Sequence, residues 1–539
     1  MADNRRESQS FFSQTDGETV SEHKAMTRAG GVIGLWTVLS RVLGFARDVV
    51  TALFLGAGLG ADAFFVAFRI PNLLRRLFAE GALSAAFIPT YVETLQKEGR
   101  SEAARLARIA FTFVALLLAA VTLVGILGSP WIVRVFAPGF MEHPDKFILT
   151  VHLNQIMFPY IFFISLVALA SGVLNSFGHF SAPAAAPVIL NLCMIGGVVI
   201  FCTHFGVGPV YALAWGVFVG GILQLALQLP FMSLLGVKLR PDFDFRYPPL
   251  KRIGRLFVPA ALGGAANQIN VLVGTMLASL LPTGGVSWLW YADRIVELPL
   301  GIFAISLGTA VLPSMSRQAA NGDMAALVRS LSFALRVIAF FIIPSMVALI
   351  VLGEPIIAVL FQRGRFSVAD TSQTAYALLY YTLGLWAFSG LKVITQTFFS
   401  IKDTKTPMKI SAAAVVVNLV AGVLLMGPMA QGGLALATSL AAAFNVSVLF
   451  VMLTRRLGRF PMAHFAASLA RILAASLVMG GLLVCGKTLG NWGLGLTGHN
   501  GMVLFGCVLV GLVVFAGSAW IFGCEELRAV VSLLKKRGR

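Results

Sequence analysis

The sequence predicts an all-α protein that crosses a membrane about fourteen times, and three observations carry that prediction. Of its 539 residues, 58% are hydrophobic and only 12% charged, about half the charged share of a soluble domain. The apolar residues fall into roughly fourteen runs of about 20 residues or more, the length a helix needs to cross a hydrocarbon core, separated by short polar or Gly/Pro-containing breaks. Lysine and arginine alternate between the connections. With the amino terminus inside, 27 lie on inside connections and ends, five (Arg134, Lys146, Arg363, Arg365, Lys487) lie outside, and nine lie within or at the ends of helices. This positive-inside pattern puts both termini in the cytoplasm. The formal charge of +18 is therefore topological, and no nucleic-acid partner is expected.

Residues 1–29 are polar, with neither an apolar core nor a small-residue cleavage site, and read as a cytoplasmic tail rather than a signal peptide. Six runs centred near residues 43, 75, 116, 162, 194 and 221 form a first lobe over 30–235. Six more, near 267, 299, 340, 386, 417 and 443, form a second over 236–456, and two additional spans near 475 and 513 occupy 457–539 with a basic cytoplasmic end. The lobes repeat weakly at a separation of about 224 residues. Pro89 of AAFIP matches Pro313 of TAVLP, Pro183 of NSFGHFSAP matches Pro407 of FSIKDTKTP, and Ala212-Leu213-Ala214 matches Ala435-Leu436-Ala437. An even number of spans in each half keeps both in one orientation, so the expectation is a parallel repeat about an axis along the membrane normal, with a central cationic cavity. Pro71 and Pro299 predict irregular backbone in the second and eighth spans, which is tolerated at membrane depth where it faces protein or a water-filled cavity.

Charge within the apolar runs is the strongest functional signal. The stretch Ser40 to Pro89 carries Arg41, Arg47, Asp48, Asp62, Arg69, Arg75, Arg76 and Glu80, although an arginine at the centre of a spanning helix costs about 2.5–3.5 kcal/mol on insertion scales. Plain structural roles exist for single members. Arg41 can snorkel toward the interface, and Arg47 and Asp48 can neutralise each other. Snorkelling cannot place charges of both signs recurring over two helices. A second cluster, SWLWYADRIVELP, sets Asp293 and Glu297 four residues apart and Arg294 and Glu297 three apart, on one helix face; an i,i+3 ion pair is its structural alternative. Guanidinium groups bind phosphate oxygens bidentately and are always charged. Arg41, Arg47, Arg75 and Arg294, from three helices, are therefore expected to surround a pyrophosphate.

Enzyme signatures are missing: no GxSxG, HExxH, P-loop or GxGxxG followed by an acidic residue occurs in a suitable setting, and the seven histidines are dispersed. Five cysteines in apolar segments support neither a disulfide framework nor a zinc site. No cofactor is expected, and directed transport would draw on the membrane potential or an ion gradient, with the ion unassigned.

The segments SRVLGFARD (40–48), GADAFFVAFRIPNLLRRLFAEGALSAAFIP (60–89), FAPGF (136–140), LNSFGHFSAPAAAPVILN (174–191) and VSWLWYADRIVELPLGIFAISLGTAVLPS (286–314) closely resemble the MviN/MurJ family of lipid II flippases. The resemblance runs from about Gly30 to Arg456 and is loose over the last two spans. It implies the multidrug/oligosaccharidyl-lipid/polysaccharide exporter fold: two six-helix lobes, a cationic cavity and two extra helices forming a lipid-facing groove. It also implies outward movement of the undecaprenyl-pyrophosphate-linked disaccharide-pentapeptide across the bacterial inner membrane by alternating access, for peptidoglycan synthesis. Its functional positions fall on Arg41, Arg47, Asp62, Arg75 and Arg294, with Ser40, Asp48, Ser287, Asp293 and Glu297 as neighbours. Lipid II and membrane lipids are the expected partners, with other cell-wall synthesis proteins as further candidates and a monomer as the working unit. One departure concerns the acidic sodium ligand that some relatives carry in the seventh span: residues 253–281 contain no Asp or Glu, only Asn267, Gln268 and Asn270, and Asn418 and Asn445 add no carboxylate later. The competing readings are an exporter of another polyprenyl-pyrophosphate glycan or of drugs, a membrane enzyme acting on the polyprenyl carrier, and an anion channel. A drug-cation exporter calls for an acidic or aromatic cleft, and an enzyme for a catalytic group on a larger loop than the roughly 15–20 residues available here.

Overall fold

The computed structural model describes residues 30–76, 82–238, 240–458 and 460–529, excepting the side chains of 262–267 and 305. Glu80, the amino-terminal tail, the side chain of Asn267 and the basic carboxyl terminus lie outside the described residues. Helices follow one another with no strand among the described residues, as the long apolar runs require when every backbone amide must find its partner within its own segment.

The helices are α1 (30–55), α2 (Leu59–Arg75), α3 (Ser84–Lys97), α4 (Gly99–Leu127), α5 (Ser129–Phe136), α6 (Pro144–Met157), α7 (Tyr160–Ser176), α8 (Ser181–Phe205) and α9 (Pro209–Leu234). They continue as α10 (Pro248–Ser279), α11 (Gly285–Pro299), α12 (Ile305–Ala320), α13 (Met324–Phe361), α14 (Val368–Leu383), α15 (Leu385–Ser400), α16 (Lys405–Leu457), α17 (Met462–Lys487) and α18 (Gly498–Ile521). Among the described residues, nine helices are long and apolar enough to cross a membrane, or ten with the bent pair α14–α15 taken as one span. The 53-residue α16 is two helices joined at Ala430, whose backbone is non-helical at φ 46° and ψ −125°. Asn445 Nδ2 donates to Ser411 Oγ at 3.3 Å across 34 residues. A straight helix would separate those residues by about 51 Å, so α16 folds back on itself as a hairpin.

Backbone irregularity falls where the prolines predicted it, displaced by a few residues. Helix α2 runs through Pro71 to Arg75, and π-type turns occur at residues 76, 82 and 83. In the second half, Pro299 ends α11 and the π-turn Leu300–Ala304 follows before α12. The sequence repeat is visible in local geometry as well. Helices α7 and α15 end at Ser176 and Ser400, α8 and α16 begin at Ser181 and Lys405, and the left-handed residues between them are Gly178 (φ 74°) and Lys402 (φ 61°). Each of these pairs is 224 residues apart, and the turn hydrogen bond His179 N to Leu174 O recurs as Asp403 N to Phe398 O.

By contacts the chain forms two compact units. Among the described residues the first comprises 30–48, 70–76, 82–129 and 153–264; its core joins α3, α4, α7 and the start of α10 through Phe87, Tyr91, Leu106, Leu169 and Ile253. Among the described residues the second comprises 49–69, 130–152 and the chain from 265 to 529, so it takes in the end of α1, most of α2 and the segment around α5 and α6. Within it, Phe65 stacks on Trp290 at 4.6 Å and meets Tyr291 edge-on at 5.4 Å, packing α2 on α11.

Candidate functional site

In the first unit the charged residues of α1 are engaged unequally. Arg41 is exposed and has no hydrogen bond or ion pair among the described residues. Arg47 donates from Nε (3.1 Å) and Nη2 (2.7 Å) to Asp48 Oδ1, and from Nη1 to Asn191 Oδ1 at 3.1 Å. The amide of Asn191 in turn donates to the Ser40 carbonyl at 3.2 Å. Arg47 and Asp48 therefore form the ion pair anticipated as one alternative, nearly closed to solvent at 12% and 5% side-chain exposure. Asn191 ties the pair to α8. It lies in an otherwise apolar stretch, and a lone amide there was the available signal for it. Arg75, half-buried, donates from Nε to Asn72 Oδ1 at 3.1 Å, and Arg76 is exposed.

Asp62 in the second unit is wholly buried. Its Oδ2 accepts from Lys146 Nζ (2.7 Å) and the Gly284 amide (2.8 Å), and its Oδ1 from the Ser287 amide (2.9 Å) and hydroxyl (2.6 Å). The carboxylate thus satisfies amides at the start of α11, which have no partner inside their own helix, and adds negative charge at the positive end of that helix dipole. Gly284 is required at the junction. Its φ is 99°, and a Cβ there would lie 2.7 Å from the Ala57 carbonyl. Lys146, 1% exposed, also sits 4.2 Å from the centre of the Phe140 ring. Counted from sequence as an ordinary outside lysine, it is instead a fully buried partner, and its spacing carries no sign of that.

The remaining cluster is built on α11. Arg294 donates from Nη1 to Glu297 Oε2 at 2.8 Å, its Nη2 lies 3.9 Å from Asp293 Oδ2, and its guanidinium carbon stands 4.6 Å from the centre of the Trp290 ring. Side-chain exposure is 24% for Arg294, 42% for Asp293 and 48% for Glu297, so all three keep access to a ligand. Arg69 from α2 stands 5.3 Å from the centre of the same ring and donates to Thr275 Oγ1 at 3.1 Å. One indole therefore holds two guanidinium groups, each through its negative π-face. The sequence reading included Arg69 among the charges but not among the site residues, and it gave Trp290 no role.

Geometry accordingly joins Asp62 with Ser287, Arg47 with Asp48 and Ser40, and Arg294 with Asp293 and Glu297. Among the sodium-ligand candidates, Asn418 donates to Asn270 at 2.9 Å, and no group of three His, Cys, Asp or Glu residues capable of holding a metal occurs among the described residues.

Known proteins place this arrangement in a family. The family described as "Lipid II flippase MurJ" matches residues 51–501. A probable lipid II flippase MurJ of Vibrio cholerae is 37% identical over 492 residues, covering 88% of this chain and 91% of the relative. The lipid II flippase MurJ of Burkholderia cenocepacia is 37% identical over 498 residues, covering 90% and 96%. A solved lipid II flippase MurJ in an inward closed conformation superposes with a TM-score of 0.77 at 29% identity, over 93% of this chain and 99% of that one. An inward-facing MATE family multidrug transporter of the MOP superfamily shares the fold, with a TM-score of 0.64 at 16% identity over 78% and 94%. With a family match over most of its length and relatives at 37% identity along nearly all of theirs, the chain belongs to the MurJ family.

Proposed function

We propose that the protein is a flippase and not an enzyme. In this reading it moves lipid II, the undecaprenyl-pyrophosphate-linked disaccharide-pentapeptide, from the cytoplasmic to the outer leaflet of a bacterial inner membrane. The observation that carries the reading is the MurJ family match over residues 51–501, which takes in Asp62, Arg75 and the α11 cluster; the arginines supply its chemistry. Arg41, Arg47, Arg75 and Arg294 contact the pyrophosphate, with Asp293 and Glu297 setting the angle of Arg294. Asp62 and Ser287 act on the start of α11 and hold the helix that carries Arg294. The halves 30–235 and 236–456 work as two six-helix lobes around one cleft, and 457–539 guides the polyprenyl tail.

Transport by alternating access requires the substrate to bind the two states unequally, since equal affinity shifts nothing. A pyrophosphate meets this requirement: it neutralises the arginines, so the loaded cleft closes at a lower electrostatic cost than the empty one. Both termini are cytoplasmic and the protein works as a monomer. The driving force is the membrane potential, worth about 2.3 kcal/mol per charge per 100 mV, or an ion gradient.

The test is complementation. In cells depleted of their own flippase, Arg41→Ala, Arg75→Ala and Arg294→Ala are each expected to insert normally in the membrane and fail to support growth. Normal complementation by all three would overturn the assignment.

A further inference from the structure

Within the first unit, α3, α4, α7 and the start of α10 line a partly open cavity of about 280 Å³. Phe87 of α3, Val114 and Leu118 of α4, Leu169 of α7 and Phe257 of α10 contribute its walls, and apart from Lys251 and Ser165 every lining residue is apolar or glycine. The lining residues of α4 run from Ala110 to Leu118, about 12 Å along the helix axis, so the space is elongated parallel to a spanning helix. Leu117, at the mouth, is 51% exposed. Apolar walls of this extent gain dispersion contacts from a hydrocarbon occupant.

Charge at one end identifies what fills it. Lys251 lines the cavity, and Arg255 follows one turn later on the same side of α10. Both are exposed, and neither has a side-chain hydrogen bond or ion pair among the described residues. Three carboxylates of the adjoining segments have other partners: Glu93 pairs with Arg252 at 2.6 Å and with Lys97 at 2.7 Å, Asp244 pairs with Arg105 at 3.1 Å, and Glu102 accepts from Tyr247 at 3.0 Å. One cation on the wall of an apolar slot and a second one turn along the same helix, neither with an ion pair among the described residues, make the combination that binds anionic lipid head groups between spanning helices.

We propose that this cavity holds one acyl chain of an anionic phospholipid, with the lipid phosphate against Lys251 and Arg255. A volume below the roughly 300–1,000 Å³ of a drug-sized pocket suits a single acyl chain and not a long polyprenyl tail. The site is separate from the arginines assigned to the transported substrate. A bound lipid there fastens α10 to α4, and occupancy follows the anionic lipid content of the membrane.

The test uses the full chain reconstituted in liposomes containing phosphatidylglycerol with a photoactivatable diazirine near the end of one acyl chain. After irradiation, label is expected on peptides covering 114–118 and 165–169, the part of the lining away from the lysine. The double variant Lys251→Gln, Arg255→Gln is expected to reduce that label more than about tenfold, two basic contacts being removed, and phosphatidylcholine with the same chain to label weakly. Ala110→Trp, which fills the slot, is expected to abolish label there. The charge variants lie on an exposed face and keep the test decisive even if the tryptophan variant fails to fold. Equal labelling by the two lipids, or unchanged yield in the double variant, would overturn the proposal. So would loss of label on adding undecaprenyl phosphate, since the slot would then belong to the transported lipid. Labelling needs no transport, so its failure is distinguishable from a failure of the flippase reading.

Discussion

Asp62 is wholly buried, and four donors converge on its two carboxyl oxygens. Lys146 Nζ neutralises it, and two amides and a hydroxyl at the start of α11 occupy the rest of its oxygen surface. Removing one partner of a buried ion pair leaves the other uncompensated, at about 3–5 kcal/mol. Lys146→Ala is accordingly expected to lower stability by that order in thermal unfolding of the detergent-solubilised protein, whereas Lys97→Ala, which breaks a solvent-exposed pair with Glu93, is expected to leave the unfolding temperature nearly unchanged. Trp290 permits a second prediction. Trp290→Leu removes the ring holding Arg69 and Arg294, and at about 0.5–2 kcal/mol per cation–π contact transport is expected to fall severalfold in a reconstituted flipping assay while Trp290→Phe retains most of it. The residue types at these positions were legible in the sequence, because charge in a hydrophobic run stands out. Their partners were not: Lys146 is 84 positions from Asp62 and Asn191 is 144 from Arg47, and nothing local to either residue marks the pairing.

The elements show what local sequence encodes well. Proline placed the irregular turns after α2 and α11 to within a few residues, because a missing amide acts on its own neighbourhood. The 224-residue repeat placed two turns with the same helix ends and the same left-handed residue. In the second of them Asp403 accepts from the Thr406 hydroxyl at 2.6 Å and the Thr406 amide at 2.9 Å, and also pairs with Arg456. The Thr406 hydrogen bonds, and after them the Arg456 charge, hold its carboxyl at about 2 against an ordinary 3.8. A pKa lowered by folding contributes stability that is present above the unfolded value and lost as pH falls through the folded one. The unfolding temperature of the native protein is thus expected to exceed that of Asp403→Asn near neutral pH, with the gap narrowing between about pH 4 and pH 2. The hairpin in α16 was legible as two apolar runs, but its turn was not, because Ala430 occupies a φ of 46° that favours glycine in a tight reverse turn. Ala430→Gly is expected to be neutral or to stabilise by up to about 1 kcal/mol, as read by the same thermal unfolding.

At the scale of the molecule, composition and periodicity sufficed for an all-helical, many-spanning chain, and long motifs sufficed for the family. The contact units are less legible: residues 49–69 and 130–152 pack with the described residues beyond 265, because the α11 cap draws on Asp62 of α2 and Lys146 of α6. That packing depends on side chains from distant segments, which a repeat in the sequence does not report. The central claim is that intramembrane arginines carry a pyrophosphate-linked glycan across the bilayer. Its most direct test is the leaflet-resolved accessibility of lipid II in cells depleted of their own flippase and supplied with this protein. Outer-leaflet lipid II restored by the native chain and not by Arg294→Ala is the predicted result. Outer-leaflet lipid II that is unaffected by depletion, or restored equally by the Arg294→Ala variant, would contradict it.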